Sequence, residues 1–165
     1  AIVARREKEL FITTTDLAKL IETVLPRSKP GHSHPATRSF QAIRIAVNKE
    51  YKELFDGLFS AEKVLSSGGY LVLVTFHSIE DRIVKRFIQA RTGKLHSTSR
   101  YMPGTDDIEA QFTKITRKAV KPSIDEISIN PRSRSAKLRI AKRTNIKPGQ
   151  SLDLEELNVP IVGGY

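Results

Sequence analysis

The chain has 165 residues and a formal net charge of +10 at pH 7, from 28 basic and 18 acidic side chains. It contains no cysteine, which excludes disulfides, thiolate zinc sites and cysteine nucleophiles. No apolar run approaches the roughly 20 residues that a membrane span needs, and the charged start is unlike a secretory signal peptide. We therefore expect one cytoplasmic domain without membrane contact, and the excess positive charge favours a polyanionic partner, most often nucleic acid.

The first 26 residues predict two helices. Residues 1–11 are helix-like but have no cap before them, and Ala1 is not an initiator methionine, so we expect a piece of a longer protein. Thr13 to Asp16 form an N-cap cluster. The apolar residues that follow have helical spacing, and Pro26 ends this second helix.

A single long helix is expected next. Pro35 opens it, and its apolar stripe runs from Phe40 to Leu65 over about eight turns. Gly57 lies within the stripe at a cost of roughly 1 kcal/mol relative to alanine. The sequence Ser66-Ser67-Gly68-Gly69 ends the helix with typical C-cap chemistry.

Strands dominate the predictions for the second half. Tyr70 to Phe76 is apolar at almost every position and β-branched, which predicts a strand buried on both faces, as in a parallel α/β sheet. Ser78, with Asp81 three residues later, resembles a capping box and predicts a helix after this strand. Two further strands, expected to pair antiparallel, cover 112–120 and 136–142.

The remaining segments are less regular. Residues 93–107 predict a mobile loop, residues 122–126 begin a short helix with a second capping box, and the chain after Gln150 is a weakly specified tail. His32, His34 and His96 lack metal-ligand spacing with acidic partners, so we expect loop histidines and no metal site.

The charge excess is concentrated in residues 113–147. This stretch holds eleven basic residues against Asp125 and Glu126. Clustering favours a phosphate-binding surface, because each neutralised phosphate releases counterions. A solvated face that keeps the protein soluble is the alternative.

Three segments resemble one known family. They are His34–Asn48 (HPATRSFQAIRIAVN), residues 68–87 (GGYLVLVTFHSIEDRIVKRF) and Asn130–Arg139 (NPRSRSAKLR). Together, in order and with family-like spacing, they closely resemble the bacterial 16S rRNA (cytosine-N4)-methyltransferases, the RsmH or MraW family. The resemblance spans residue 1 to about residue 145.

The resemblance implies a fold and a division of the chain. The family fold is a Rossmann-like class I S-adenosylmethionine-dependent methyltransferase with an inserted helical substrate domain, and this α/β chain would be its C-terminal half. Residues 1–35 would end the insert, 36–147 would complete the methyltransferase domain, and 148–165 would be a tail. The order helix, strand, helix, strand, strand fits the end of such a sheet, although many α/β folds share it.

The resemblance also implies an activity. Family members transfer a methyl group from S-adenosylmethionine to the exocyclic amine of a cytidine in the decoding region of 16S rRNA, in the small ribosomal subunit. The family's glycine-rich donor loop would lie upstream of Ala1. Gly68-Gly69 precedes a strand instead of following one, so it is not a cofactor cradle. We therefore expect this chain to lack most of the donor site and to be inactive alone.

His77, Ser78 and Asp81 are the candidate catalytic residues. Ligands of open α/β sheets bind beyond the carboxyl ends of strands, where the Phe76-His77-Ser78 turn is expected. The cytosine amine is a poor nucleophile, so catalysis needs acceptors that orient it and take its proton. Neutral His77 is suited to this, and Asp81 or Glu80 could accept from the amine or orient His77. Alternatively, Ser78, Glu80 and Asp81 serve only the helix N-terminus.

Several cations are candidate RNA contacts. Arg132 and Arg134 flank Ser133 after a helix break, which suits bidentate phosphate contact. Arg38 and Arg44 lie on the long helix, where a surface salt bridge is equally compatible with the pattern. The full predicted RNA-binding set is Arg38, Arg44, Arg82, Lys85, Arg86, Arg132, Arg134 and Lys137.

Two other functions compete with methyl transfer. One is a non-catalytic RNA-binding module that uses the basic stretch 113–147. The other is a nuclease built on His77, Glu80 and Asp81, which the lack of further carboxylates at metal-binding spacing disfavours. If upstream strands are absent, the strand at 70–76 has an open edge, which predicts a homodimer or a swapped assembly.

Overall fold

The structure is a computed structural model that describes residues 1–26, 33–93, 109–150, 152 and 156–157. Residues 1–49 and 50–165 form two compact units. Most of the expected loop at 93–107, most of the tail, and both His32 and His96 lie outside the described residues. In the part of the chain that is described, no helix combines the length and the apolar character needed to cross a membrane.

The described residues of the first unit form the helices α1 (Ile2–Arg6), α2 (Thr14–Val24) and α3 (Thr37–Asn48). α1 is shorter than the expected helix over residues 1–11. α2 begins as predicted, because the Thr13 hydroxyl accepts a hydrogen bond from the Asp16 backbone N–H at 3.1 Å. Ile21 of α2 and Ile45 of α3 are buried.

The expected single long helix is two helices. α3 ends at Asn48, and α4 (Glu50–Val64) begins after Lys49, whose backbone is left-handed with φ 50° and ψ 35°. The prediction was wrong because the apolar spacing continues through the break, and a lysine carries no signal for a left-handed backbone. Gly57, by contrast, lies inside α4 without ending it.

The second unit packs α4 and α5 (Ser78–Arg91) against a small sheet. Its other elements are β1 (Tyr70–Thr75), β2 (Phe112–Lys114), α6 (Ile124–Ile129), a 3₁₀ helix (Pro131–Ser135) and β3 (Lys137–Arg143). Edge-to-face aromatic contacts connect α4, α5 and β2 through the core. Ring centroids lie 5.3 Å apart for Phe59 and Phe87, and 6.1 Å apart for Phe87 and Phe112.

Within the described part of the chain, the sheet consists of antiparallel strands in the order β1-β3-β2. The predicted antiparallel pairing of the last two strands is confirmed. β2 is shorter than the expected strand over 112–120, since only a single bridge from Val120 to Leu138 extends it. In the β1–β3 register Thr75 lies opposite Lys137, so the carboxyl end of β1 meets the start of β3.

The two faces of the sheet differ in an unexpected way. β1 was predicted to be buried on both faces, but only alternate residues, such as Leu71 and Thr75, are buried. Tyr70, Val72 and Val74 are each more than half exposed on the other face. The prediction was wrong for these residues. A strand that is apolar at every position can be buried on both faces, but the described residues of this chain cover only one face of β1.

β3 presents arginines on the covered face. Arg139, Ala141 and Arg143 are buried, whereas Ile140 lies on the opposite face, across from Val72. The Arg143 guanidinium donates to the Glu62 backbone carbonyl at 3.2 Å and to that of Gln111 at 2.8 Å. The strand expected at 136–142 is present, and charged residues occupy its inner positions.

A buried ion pair joins α4 to α5. Glu62 is 1% exposed, and its Oε2 accepts from Arg91 Nε at 2.9 Å. Its other oxygen accepts from the Gly149 backbone N–H at 3.0 Å, and Arg91 also donates to the Gln150 carbonyl at 2.6 Å. The Arg91 guanidinium lies 4.9 Å from the centre of the Phe59 ring. This cluster fixes the chain that follows β3 against the helices.

Candidate functional site

A pocket lies where β1 ends and β3 begins, at the place where the sequence predicted a ligand. Basic and hydroxyl side chains dominate its wall, so it is suited to an anionic or strongly polar ligand. The residues that line it are Phe76, His77, Ser78, Lys121, Arg134, Ser135, Ala136 and Lys137.

His77 lies between the end of β1 and the first turn of α5. It is the N-cap of α5, and its backbone N–H donates to Glu80 Oε2 at 3.0 Å. The Phe76 N–H donates to the same oxygen at 2.9 Å. The His77 ring nitrogen Nδ1 is shielded from solvent and lies 3.1 Å from Glu80 Oε1, without the alignment of a hydrogen bond. Glu80 therefore fixes the turn that presents His77 to the pocket.

Ser78 is one position away from its expected place in the helix. The sequence predicted a capping box from Ser78 to Asp81, but the cap is His77, and Glu80 supplies the carboxylate. The shift occurs because Glu80 accepts from the two N–H groups just before the helix, which leaves Asp81 to point elsewhere. Ser78 begins α5 and lines the pocket.

Asp81 is nearly buried and paired with two cations of β3. Arg139 donates to both of its oxygens, at 2.7 and 3.2 Å, and Lys137 donates at 3.1 Å. Burial by itself raises the pKa of Asp81, but the hydrogen bonds and charges of Arg139 and Lys137 outweigh burial, so this pKa lies below its ordinary value. Asp81 is thus a carboxylate at neutral pH. It contacts Lys137, which lines the pocket, and is not itself a lining residue.

The predicted RNA-binding residues occupy three places. Arg134 and Lys137 line the pocket, and Arg132 is exposed nearby in sequence, on the same 3₁₀ helix as Arg134. On α5, Arg82 and Lys85 are exposed and Arg86 is half-buried. Arg38 and Arg44 are exposed on α3, in the first unit.

Four pocket residues were not among the predicted site residues: Phe76, Lys121, Ser135 and Ala136. Lys121 follows the Val120 bridge to β3 and is exposed, and Phe76 follows β1 with 52% of its surface exposed. Lys121 was visible in sequence only as one member of the basic stretch. Phe76 was assigned to the buried strand, and the sequence offered no signal that its ring would be exposed.

Comparisons with known proteins agree with the resemblance seen in the sequence. The model of the MraW methylase family matches residues 1–144. The chain belongs to this family. It is similar to the proteins named ribosomal RNA small subunit methyltransferase H from Ruegeria sp. (54% identical, covering 97% of this chain and 48% of the relative) and from Jannaschia sp. (52% identical, covering 100% and 50%).

A third relative of the same name, from Roseobacter denitrificans, is 51% identical over 98% of this chain and 49% of its own length. The chain therefore spans about half the length of the curated relatives it matches. The family match includes α5, the basic stretch up to residue 144 and every residue that lines the pocket.

Proposed function

We propose that this chain is part of an S-adenosylmethionine-dependent methyltransferase that methylates the N4 amine of a cytidine in the 16S rRNA of the small ribosomal subunit. The observation that carries the proposal is the polar, cationic pocket at the carboxyl end of β1, in a chain of the MraW methylase family. The names of its relatives indicate rRNA of the small subunit as the substrate.

The strand order supports the proposal that these strands form one end of a larger Rossmann-like sheet. β1 is at one edge of the order β1-β3-β2, and the described residues leave its second edge unpaired. The face that carries Tyr70, Val72 and Val74 is apolar and exposed. Since the chain is about half as long as its relatives, we infer that further strands and helices of the same enzyme cover this edge and the part of this face that carries Tyr70, Val72 and Val74.

In the proposed reaction, His77 orients the cytosine amine and accepts its proton. The His77 ring lines the pocket, and its Nδ1 lies 3.1 Å from Glu80 Oε1, so Glu80 positions the ring at the pocket wall. The Ser78 hydroxyl, on the same pocket wall, supplies a second hydrogen-bonding group. Asp81 acts through its contact with Lys137, and fixes this cation in the wall of the pocket.

The described residues do not fit the methyl donor by themselves. Gly68 has φ +85°, and a Cβ on Gly69 would lie 3.0 Å from the Ser66 carbonyl oxygen, so both glycines serve the tight turn before β1. We propose that the donor site belongs mostly to other parts of the enzyme, and that these 165 residues alone transfer no methyl group.

RNA would approach over cations that are exposed or half-buried in the structure. Arg132, Arg134 and Lys137 belong to the pocket or to its 3₁₀ helix, and Arg82, Lys85 and Arg86 extend the positive surface along α5. Arg38 and Arg44 of α3 are the proposed contacts of the first unit. Phosphate contacts of this kind give affinity and position, whereas the pocket determines which base reacts.

The test is methyl transfer by the protein at its natural length, with labelled S-adenosylmethionine and small ribosomal subunits from a strain that lacks the enzyme. We expect label in 16S rRNA, and nucleoside mass spectrometry should identify N4-methylcytidine. The matched sample is the 165-residue chain, which should bind the RNA without transferring label. Label in another nucleoside, or tight donor binding by the 165-residue chain, would contradict the proposal.

The second candidate function is a non-catalytic RNA-binding module, which the exposed cations around the pocket favour. In that case the protein at its natural length would bind rRNA without transferring label. The open edge of β1 adds an assembly proposal: the 165-residue chain should form a homodimer or a swapped assembly. Light scattering that shows a monomer at high concentration would contradict this assembly.

A further inference from the structure

The cations around the pocket fall into two groups. Lys137 is paired with Asp81, whereas Lys121 and Arg134 are exposed and have no ion pair among the residues that the structure describes. Two exposed cations from different segments, on one pocket wall, attract a phosphodiester and are suited to bind it with charge-assisted hydrogen bonds. Lys121 and Arg134 can therefore bind a ligand without first losing an ion pair, whereas Lys137 is already paired with Asp81.

The two backbone N–H groups just before α5 are not available to an anion. The backbone N–H groups of Phe76 and His77 both donate to the Glu80 carboxylate, so the protein's own anion already occupies this position. Lys121 and Arg134, the exposed lining cations without an ion pair among the described residues, are therefore the side chains best placed to bind a phosphate here.

Phe76 gives the same pocket an aromatic surface. It lines the pocket beside the cations, and 52% of its surface is exposed although its backbone is fixed by Glu80. Exposed aromatic rings next to basic side chains are typical of single-stranded RNA recognition, where an unstacked base lies on the ring and cations bind the backbone.

We propose that the pocket contains a nucleotide subsite in which an RNA base stacks on Phe76 while the adjacent phosphate is bound by Lys121 and Arg134. The inference rests on the proposed function, since it identifies how single-stranded rRNA is positioned beside His77. It assigns the stacking and phosphate roles to different side chains, so the two roles can be separated by measurement.

The experiment measures fluorescence polarisation of a labelled single-stranded oligoribonucleotide, with the protein at its natural length, over a range of salt concentrations. Phe76→Leu should weaken binding about tenfold or more without changing the salt dependence, because it removes stacking but no charge. Phe76→Trp should restore the affinity. Lys121→Gln and Arg134→Gln should each weaken binding and make the slope of log K against log salt shallower by up to about 1.

Lys118→Gln is the matched control, because Lys118 is an exposed lysine of the same segment that does not line the pocket. If Phe76→Leu binds like the unchanged protein, or Lys121→Gln behaves like Lys118→Gln, the subsite is wrong. Methyl transfer by the unchanged protein is measured in parallel. If that protein transfers label while the variants bind RNA normally, only the subsite fails; if it neither binds RNA nor transfers label, the proposed function fails as well.

Discussion

Arg139 and Arg143 are buried on the inner face of β3, whereas Lys121 and Arg134, from the same basic stretch, are exposed at the pocket. The buried arginines have carboxylate or carbonyl partners, and the exposed pair has no ion pair in the described part of the chain. All four belong to the basic stretch 113–147. The comparison shows that a cluster of positive charge can serve the fold and a ligand at once, and that burial separates the two roles.

The largest expected effect is on the buried pair of α4 and α5. Glu62→Gln leaves the Arg91 guanidinium buried without its anion, so we expect the free energy of unfolding to fall by about 3 kcal/mol. Urea denaturation measures it. Glu53→Gln, an exposed carboxylate of the same helix, is the control and should change stability by less than about 0.5 kcal/mol. If both variants lower the free energy of unfolding equally, the burial of Glu62 does not determine its contribution to stability.

A smaller effect is expected when Arg139 is replaced. Arg139→Gln removes two hydrogen bonds to Asp81 but leaves Lys137, so the loss of unfolding free energy should be about 2 kcal/mol. Arg134→Gln should leave stability within about 0.5 kcal/mol while weakening RNA binding. Thermal unfolding of both variants, followed by circular dichroism, tests the contrast. If Arg134→Gln also lowers stability, Arg134 serves the fold and is not a free cation of the pocket.

The pairing of Asp81 also predicts a pH dependence. Because the folded pKa of Asp81 is lowered, its contribution to stability is complete above the carboxyl pKa of an unfolded chain, about 4, and is lost as pH falls through the folded value. The difference in unfolding free energy between the unchanged protein and Asp81→Asn should therefore be largest near neutral pH and shrink in acid. A difference that grows in acid would contradict the ion pair.

Two glycines should respond to alanine with opposite signs. A Cβ on Gly149 would clash with the Arg91 guanidinium, whose bonds to Glu62 and Gln150 hold it in place, so Gly149→Ala should lower stability by about 1 kcal/mol. Gly57 lies in α4 with no atom within 4 Å of an added Cβ, so Gly57→Ala should raise stability by about 0.5–1 kcal/mol. Melting temperatures measure both, and a shift of the same sign would contradict the packing around Arg91.

The sequence located most elements because their signals are local. The Thr13 cap, the helix after Ser123 and the strand at 136–142 depend on neighbours a few residues apart, and the structure confirms each of them. The break at Lys49 could not be predicted, since the apolar spacing continues across it. The capping box predicted from Ser78 to Asp81 was also wrong. Glu80 bonds the backbone before the helix, whereas Asp81 pairs with Arg139, a residue far away in the sequence.

Local chemistry thus determined the elements, the family motifs and the position of His77 after a strand. The tertiary structure decided which charges are buried. Asp81 meets Arg139 across 58 positions of sequence, and Glu62 meets the Gly149 N–H across 87. Such pairs depend on strand register and helix packing, for which no short stretch of sequence carries a signal. Only the register that places Thr75 opposite Lys137 brings His77 and Ser78 together with Arg134 and Lys137 in one pocket.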